Sequence, residues 1–283
     1  MSVVAESQPT YPPGRRSESR SEAEPVVEAE PWDLLVVGGG TAGLVGAKTA
    51  VALGARVLLV ERDRLGGDCL WTGCVPSKSL LAAASAAAGA RGAARLGVEV
   101  SGVRVDFTAV MRHVHAAVDQ IAPTDAAPAL QEAGVTVRQG TVRFTGLDTA
   151  TVGGSMVRFR QALLATGAGP AIPPIPGLDQ AAYLTSDTVW GLTRLPARLT
   201  LLGGGSIGCE LGQAFARLGS RVTLLEGEDR ILPREDMAAA ALVRDALEAD
   251  GVDVRTGVPV SQVEVDAGSS AAGTVRLADG TRL

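Results

Sequence analysis

Cysteine, histidine, lysine and aromatic residues are all scarce in this chain of 283 residues, and each scarcity excludes something. Three cysteines are too few for the disulfide framework of a small secreted domain, so a cytoplasmic redox protein is the better expectation. The two histidines, His113 and His115, stand two apart on a predicted helix; they share no face, and no metal site is expected. Only 3% of residues are aromatic against 46% hydrophobic, so the cores are built from Ala, Val and Leu. No apolar run reaches the ~18 residues of a membrane span, and the N-terminus lacks the basic-then-apolar order of a secretory signal. A net charge of −5 without a basic cluster argues against nucleic acid. Of 26 positive side chains only Lys48 and Lys78 are lysine. In a chain that otherwise uses arginine, a compact ammonium that can be desolvated and tuned stands out.

Residues Met1 to Pro31 are rich in Ser, Glu, Arg and Pro with no apolar periodicity, the composition of a disordered tail. Order is expected from Trp32. Asp33 to Val37 reads as a strand, Gly38-Gly39-Gly40-Thr41-Ala42-Gly43 as a tight turn, the small residues to Leu53 as a helix, and Arg56 to Val60 as a second strand ended by Glu61. Strand, Gly-rich turn, helix, strand and acid make a βαβ dinucleotide-binding unit. The same order recurs: strand Leu199 to Leu202, turn Gly203-Gly204-Gly205-Ser206-Ile207-Gly208, helix Cys209 to Leu218, strand Arg221 to Leu225, acid Glu226. Gly38 precedes Glu61 by the same interval as Gly203 precedes Glu226. One Gly-rich turn is weak; two in full context are strong. The fold class is therefore α/β, with two doubly wound Rossmann-type domains.

Between the two units lies the run Gly66-Gly67-Asp68-Cys69-Leu70-Trp71-Thr72-Gly73-Cys74-Val75-Pro76-Ser77-Lys78. Thiols at this separation are placed to meet across one helical turn and so to form and open a disulfide without a large backbone movement. A dinucleotide bound just upstream could be the electron source. Taken alone, the two cysteines could be small core residues, Glu210 an ordinary acid near a helix start, and Trp71 either a cofactor neighbour or loop core. Cys209 stands alone and is expected only to pack. After Lys78 come an Ala-rich helix, a helix from about Phe107 to Ile121, and strands near Val135 to Arg138 and Thr141 to Phe144. A buried strand follows at Ala162 to Leu164, ended by Ala165-Thr166-Gly167, then a stiff crossing with Pro170, Pro173, Pro174 and Pro176.

These motifs, in this order from about Trp32 onward, resemble the class I pyridine nucleotide–disulfide oxidoreductases, flavoproteins of the dihydrolipoamide dehydrogenase and mercuric reductase type. The resemblance implies FAD on the first unit, through Gly38, Gly40, Gly43, Glu61, Gly67, Lys78, Val142, Thr166 and Gly167. It implies NADH or NADPH on the second, through Gly203, Gly205, Ser206, Ile207, Gly208 and Glu226. Glu226 suits a ribose 2′-hydroxyl and repels a 2′-phosphate, and Gly208 as third glycine resembles the NADH users; NADH is favoured, with Arg230 nearby as the contrary sign. Electrons would pass from NAD(P)H through FAD to a Cys69–Cys74 disulfide and on to a small-molecule or protein disulfide. Cys74 would face the flavin, Cys69 would exchange with substrate, and Lys78 would pair with Glu210 beside the flavin.

The resemblance divides the chain into a tail (1–31), an FAD domain with redox pair and linker (32–180) and an incomplete NAD(H) domain (181–283). The family pattern continues past Leu283 with a further flavin-binding motif and a dimerisation domain carrying a His–Glu pair. The family forms homodimers; that domain is absent here, and the chain is expected to be C-terminally truncated. Leu70-Trp71-Thr72 departs from the Leu/Val-Asn-Val common in those enzymes. Two other readings use the same motifs: a nucleotide-binding remnant without turnover, and a flavoprotein NADH oxidase.

Overall fold

The computed structural model describes residues 30–265 and 273–283, so all but the last two residues of the expected tail lie outside the described residues. In chain order the first elements are β1 (Trp32–Val37), α1 (Thr41–Ala52), β2 (Val57–Glu61), α2 (Gly67–Trp71), α3 (Cys74–Gly92), α4 (Phe107–Asp125) and α5 (Ala127–Glu132). Strands β3 (Thr136–Gln139), β4 (Val142–Phe144), β5 (Thr149–Val152) and β6 (Ser155–Leu164) follow. The remainder is β7 (Arg198–Leu202), α6 (Ser206–Leu218), β8 (Arg221–Leu225), α7 (Met237–Ala249), β9 (Asp253–Arg255), β10 (Val260–Val265) and β11 (Gly273–Leu277). Two units result. Among the described residues the β1 unit takes those up to Cys74 with Val118–Gly169, and the β7 unit takes Val75–Ala117 with those from Pro170 onward.

The β1 unit is a six-stranded sheet in the order β3-β2-β1-β6-β5-β4. Strands β1, β2, β3 and the end of β6 run parallel, while β6, β5 and β4 form an antiparallel meander. Val57 to Val60 are all buried, as a strand covered on both faces requires. Successive side chains point to opposite faces. Leu58 and Val60 therefore join Leu35, Val157 and Phe159 in one core, and Val57 and Leu59 join Leu44 and Ala47 of α1 and Leu130 of α5 in the other. The chain moves outward from β1 to β3 and returns on the far side at β6. This reversal opens a crevice at the carboxyl ends of β1 and β6, where such sheets bind ligands.

The strand expected at Ala162 is longer and less buried than the sequence indicated. It begins at Ser155, because its first half pairs with β5 before its second half joins β1. Leu163 packs where a Cβ on Gly46 of α1 would lie only 2.4 Å from its Cδ2. On the opposite face Leu164 is 65% exposed.

In the β7 unit, β7, β8 and β9 form a parallel sheet and β10 and β11 an antiparallel pair. One face of α6 supplies Leu211, Ala214, Phe215 and Leu218 to a core shared with Leu80 and Ala84 of α3 and with Phe107, Met111 and Val114 of α4. Phe107 and Phe215 meet with centroids 6.1 Å apart. The alanines and glycines of α3 let it lie along α6, and Arg217 of α6 donates to Ser85 at 3.4 Å and to Asp250.

The two βαβ repeats share the backbone geometry of their turns. Gly38 and Gly203 both have φ of +107°, a conformation glycine adopts without cost. A Cβ on Gly43 would sit 1.9 Å from the Gly38 oxygen, and one on Gly208 2.0 Å from the Gly203 oxygen. Gly89 of α3, by contrast, has nothing within 4 Å of an added Cβ. Gly89→Ala should therefore stabilise the chain by about 0.5–1 kcal/mol. Gly43→Ala should destabilise it by at least ~2 kcal/mol. Urea midpoints followed by circular dichroism check both; equal midpoints would contradict the close approach at Gly43.

Candidate functional site

In the β1 unit the first Gly-rich turn joins β1 to α1. Its N-cap, Gly40, makes no side-chain capping bond, so the first N–H groups of α1 are left for an anion. Glu61, at the end of β2, accepts from the Gly39 N–H at 2.6 Å with one oxygen and from the Asp63 N–H at 2.8 Å with the other. Both contacts fix its carboxylate beside the turn. Gly38 lies against the strand across from it, since a Cβ there would be 2.2 Å from the Ala165 oxygen; this brings Thr166 and Gly167 to the same sheet edge. Gly140 donates to the Glu61 carbonyl at 2.8 Å, and Val142 opens β4 two residues later. A Gly-rich turn with free N–H groups, an acid and an open sheet edge fits the adenosine diphosphate half of FAD.

The redox run reaches this turn through two glycines. A Cβ on Gly67 (φ +59°) would be 2.5 Å from the Gly40 Cα, so α2 begins directly on the turn. Cys69 lies within α2. The two cysteines do not share one helix, as their spacing had led us to expect. Thr72 leaves helical geometry with φ −134°, and α3 starts afresh at Cys74. Gly73 makes the tight return possible, a Cβ there falling 2.8 Å from the Asp68 oxygen and 3.4 Å from the Cys69 Cα. No disulfide joins Cys69, which is half-buried, to Cys74, which is exposed. They meet all the same. The Cys74 side chain hydrogen-bonds Cys69 and, with partial burial and like charge, pushes the Cys69 thiol above its ordinary range. The Cys74 backbone N–H and the Thr41 hydroxyl act in the opposite sense. Trp71 is held by the loop, its indole N–H donating to the Leu65 oxygen at 2.7 Å and the Arg64 guanidinium lying 4.3 Å over its ring.

In the β7 unit the second turn repeats the design. Glu226 accepts from the Gly204 N–H at 2.7 Å and the Glu228 N–H at 3.0 Å. Gly205 caps α6 without a side chain and has open space around it, and Ser206 and Ile207 are exposed beside it. A nucleotide diphosphate fits here as well. Arg230 donates to the carbonyls of Leu232, Pro233 and Glu235, closing its own loop. In the same unit Lys78 of α3 and Glu210 of α6 form a two-pronged ion pair, Nζ to Oε1 at 2.6 Å and to Oε2 at 2.7 Å. Their side chains are 61% and 39% exposed, so the pair contributes at most ~1 kcal/mol to stability.

Cys209 packs, as expected, at 6% exposure with its Sγ donating to the Gly204 oxygen. His115 Nε2 lies 3.0 Å from the Trp190 oxygen. Among the described residues no group of three or more His, Cys, Asp or Glu could hold a metal, and no helix is long and apolar enough to cross a membrane. Sequence reasoning passed over Thr41 and Gly73. The one signal for Thr41 was a hydroxyl residue at the same place in both turns, Ser206 being its counterpart.

Two dinucleotide-type turns and a thiol pair on one of them define a redox protein of Rossmann type. The model of the pyridine nucleotide–disulphide oxidoreductase family matches residues 32–283, and the chain belongs to that family, whose members use FAD with NAD(P)H as electron donor. It is 34% identical to a mercuric reductase of Bacillus cereus, over 90% of this chain and 42% of that protein. It is 34% identical to a dihydrolipoyl dehydrogenase of Bacillus subtilis, over 82% of this chain and 52% of that one. Among solved structures it resembles the HOCl-induced flavoprotein disulfide reductase RclA from Escherichia coli, with TM-score 0.75, 27% identity, and coverage of 89% and 54%. The chain spans about half the length of the curated relatives it matches.

Burial, with Glu226 adding to it, pushes the Cys209 thiol up to about 11. At pH 8 iodoacetamide should therefore modify Cys74 and Cys69 and spare Cys209 until urea unfolds the chain. Peptide mass spectrometry reads the pattern, and modification of Cys209 in the folded chain at the rate of Cys74 would contradict its burial.

Proposed function

We propose that this chain carries the dinucleotide-binding and dithiol part of an NADH-dependent flavoprotein that reduces a small-molecule or protein disulfide. The observation that carries the reading is the contact of two cysteine side chains on a segment seated, through Gly67, on a Gly-rich turn of the dinucleotide-binding type. Gly38, Gly40, Gly43, Glu61, Gly67, Val142, Thr166 and Gly167 are assigned to FAD, which when bound supplies the two-electron chemistry linking NAD(P)H to the thiol pair. Gly203, Gly205, Ser206, Ile207, Gly208 and Glu226 are assigned to the nicotinamide nucleotide. The choice of NADH rests on Glu226, whose carboxylate repels a 2′-phosphate, and on Arg230, whose donors are engaged by its own loop.

The thiol pair performs the exchange. Cys69 attacks one sulfur of the substrate disulfide as a thiolate, forming a mixed disulfide and releasing one substrate thiolate. Cys74 then attacks the Cys69 sulfur, closing the Cys69–Cys74 disulfide and releasing the second. Two electrons leave the dithiol and two protons complete the product thiols. Cys74 opens α3 and is set against Cys69 by the tight return at Gly73. Lys78 stands one turn further along α3, on the same helix face, and with Glu210 is assigned to charge balance at the redox centre.

Anaerobic NADH titration of the FAD-reconstituted chain tests the reading. Uptake of about four electrons per FAD is expected, falling to about two in Cys69→Ser. Bound FAD should also slow alkylation of Cys74 more than that of Cys69. Two-electron uptake by both proteins, with peroxide formed on admitting air, would replace the disulfide reductase with an oxidase.

A further inference from the structure

The helix that carries Cys69 is too short to stand alone. α2 has five residues, Gly67–Trp71, well below the ~12 that an isolated helix needs. Its start is pinned to the first turn, the Gly66 N–H donating to the Gly39 oxygen at 2.9 Å and Gly67 lying bare against Gly40. Its end has a different anchor. Trp71, the last residue of α2, turns its indole back along the element and donates to the oxygen of Leu65, the residue before the Gly66 N-cap, at 2.7 Å. Gly66 leaves that path open: a Cβ there would stand 3.0 Å from the indole nitrogen. The Arg64 guanidinium covers the ring at 4.3 Å. We propose that Trp71 is a positioning residue for Cys69, its indole tying the two ends of α2 together so that Cys69 stays within reach of Cys74 when the pair is reduced. The inference rests on the reading of Cys69 and Cys74 as a working dithiol pair.

The tie matters most in the reduced state. A closed disulfide holds the segment by a covalent bond of fixed geometry. Once it opens, the approach of the two cysteines depends on the shape of α2 and on the return at Gly73, where a Cβ would stand 3.4 Å from the Cys69 Cα. The chain leaves helical geometry at Thr72, the residue after Trp71. Trp71 therefore stands at the pivot between the helix that carries one cysteine and the return that delivers the other. Fraying of so short a helix would begin there. Keeping the pair aligned raises the effective concentration of one thiol toward the other and so favours the disulfide. Packing alone does not hold the ring. Trp71 is half-buried and lines a cavity of about 490 Å³ with Leu65, Asp119, Ala122 and Pro123, so its hold comes from the bond to Leu65 and the cover of Arg64.

The test is the equilibrium of the pair with glutathione, measured on the full chain without FAD or NADH. Each Cys69–Cys74 disulfide formed consumes one oxidised glutathione and releases two glutathione thiols. Acid quenching, alkylation of the remaining thiols and peptide mass spectrometry read the oxidised fraction against the glutathione ratio. Trp71→Phe keeps a ring beneath Arg64 and removes the indole N–H. It should shift the equilibrium about two- to tenfold toward the dithiol, the range one ordinary hydrogen bond supports. Trp71→Leu removes both contacts and should shift it further in the same direction. If these variants fail to fold by circular dichroism, Arg64→Ala weakens the tie from an exposed position and should give a shift of about two- to fivefold. A role in folding alone would lower the urea midpoint and leave the equilibrium constant of the folded chain unchanged, which would overturn the proposal. A shift toward the disulfide would overturn it too, because the indole would then be holding the thiols apart. A parent chain that forms no Cys69–Cys74 disulfide at any glutathione ratio would count against the proposed function and against the positioning role with it. A parent that forms the disulfide, with variants that match it, would overturn the positioning role alone.

Discussion

The redox segment depends on one steric fact: two backbones touch at Gly40 and Gly67 with nothing between them. A methyl group at Gly67 would stand 2.5 Å from the Gly40 Cα, so neither α2 nor Cys69 could keep its place. The turn that favours a diphosphate and the segment that carries the thiols are thus held at one edge of the sheet. The turn and the thiol segment are coupled here by geometry rather than by a strong bond. Glycine accepts the cost, in conformational entropy, of ordering a residue at φ +59° that other residues would adopt only under strain.

The ion pair between Lys78 and Glu210 obeys a different logic. Its two contacts are short and its partners come from separate helices, yet both side chains are partly in water. Exposed pairs of this kind hold little stability, and the underlying α3–α6 packing of Leu80, Ala84, Ala214 and Phe215 does not need it. A pair that stability does not require, made with one of only two lysines in the chain, is most simply read as a device for placing charge.

Much of this was legible in the sequence because glycine spacing is dictated by backbone sterics. Gly43 and Gly208 sit where any Cβ would strike the backbone and Gly38 and Gly203 where φ is positive, so their spacing announced both turns and the acids that follow. The break between Cys69 and Cys74 was not legible. Spacing alone allows one continuous helix, and only the tertiary contact at Gly73 decides against it. The early start of β6 was hidden for a similar reason: Ser155 to Arg158 are strand because β5 offers them a partner, a pairing that local pattern does not encode. Contacts between segments distant in sequence were the common blind spot.

The two repeats diverge where the chain returns to the turn. After each acid the chain folds back and donates an N–H to the carbonyl of the second turn glycine, from Gly66 to Gly39 at 2.9 Å and from Leu232 to Gly204 at 2.8 Å. An aliphatic side chain covers that glycine each time, Leu65 in the first repeat and Ile231 in the second. Both returning residues have positive φ, +107° at Gly66 and +47° at Leu232. In the first repeat a second glycine follows, and Gly67 lets a new helix start on the turn and carry Cys69 with it. In the second, Leu232 bears roughly 1 kcal/mol of left-handed strain, and Pro233 follows with its oxygen held by Arg230. Pro233 brings a side chain to the position where Gly67 lies bare against Gly40, and no helix starts there. One scaffold thus gives two outcomes: a turn loaded with a thiol segment and a turn left open. The difference comes from Gly66-Gly67 standing where the other repeat has Leu232-Pro233.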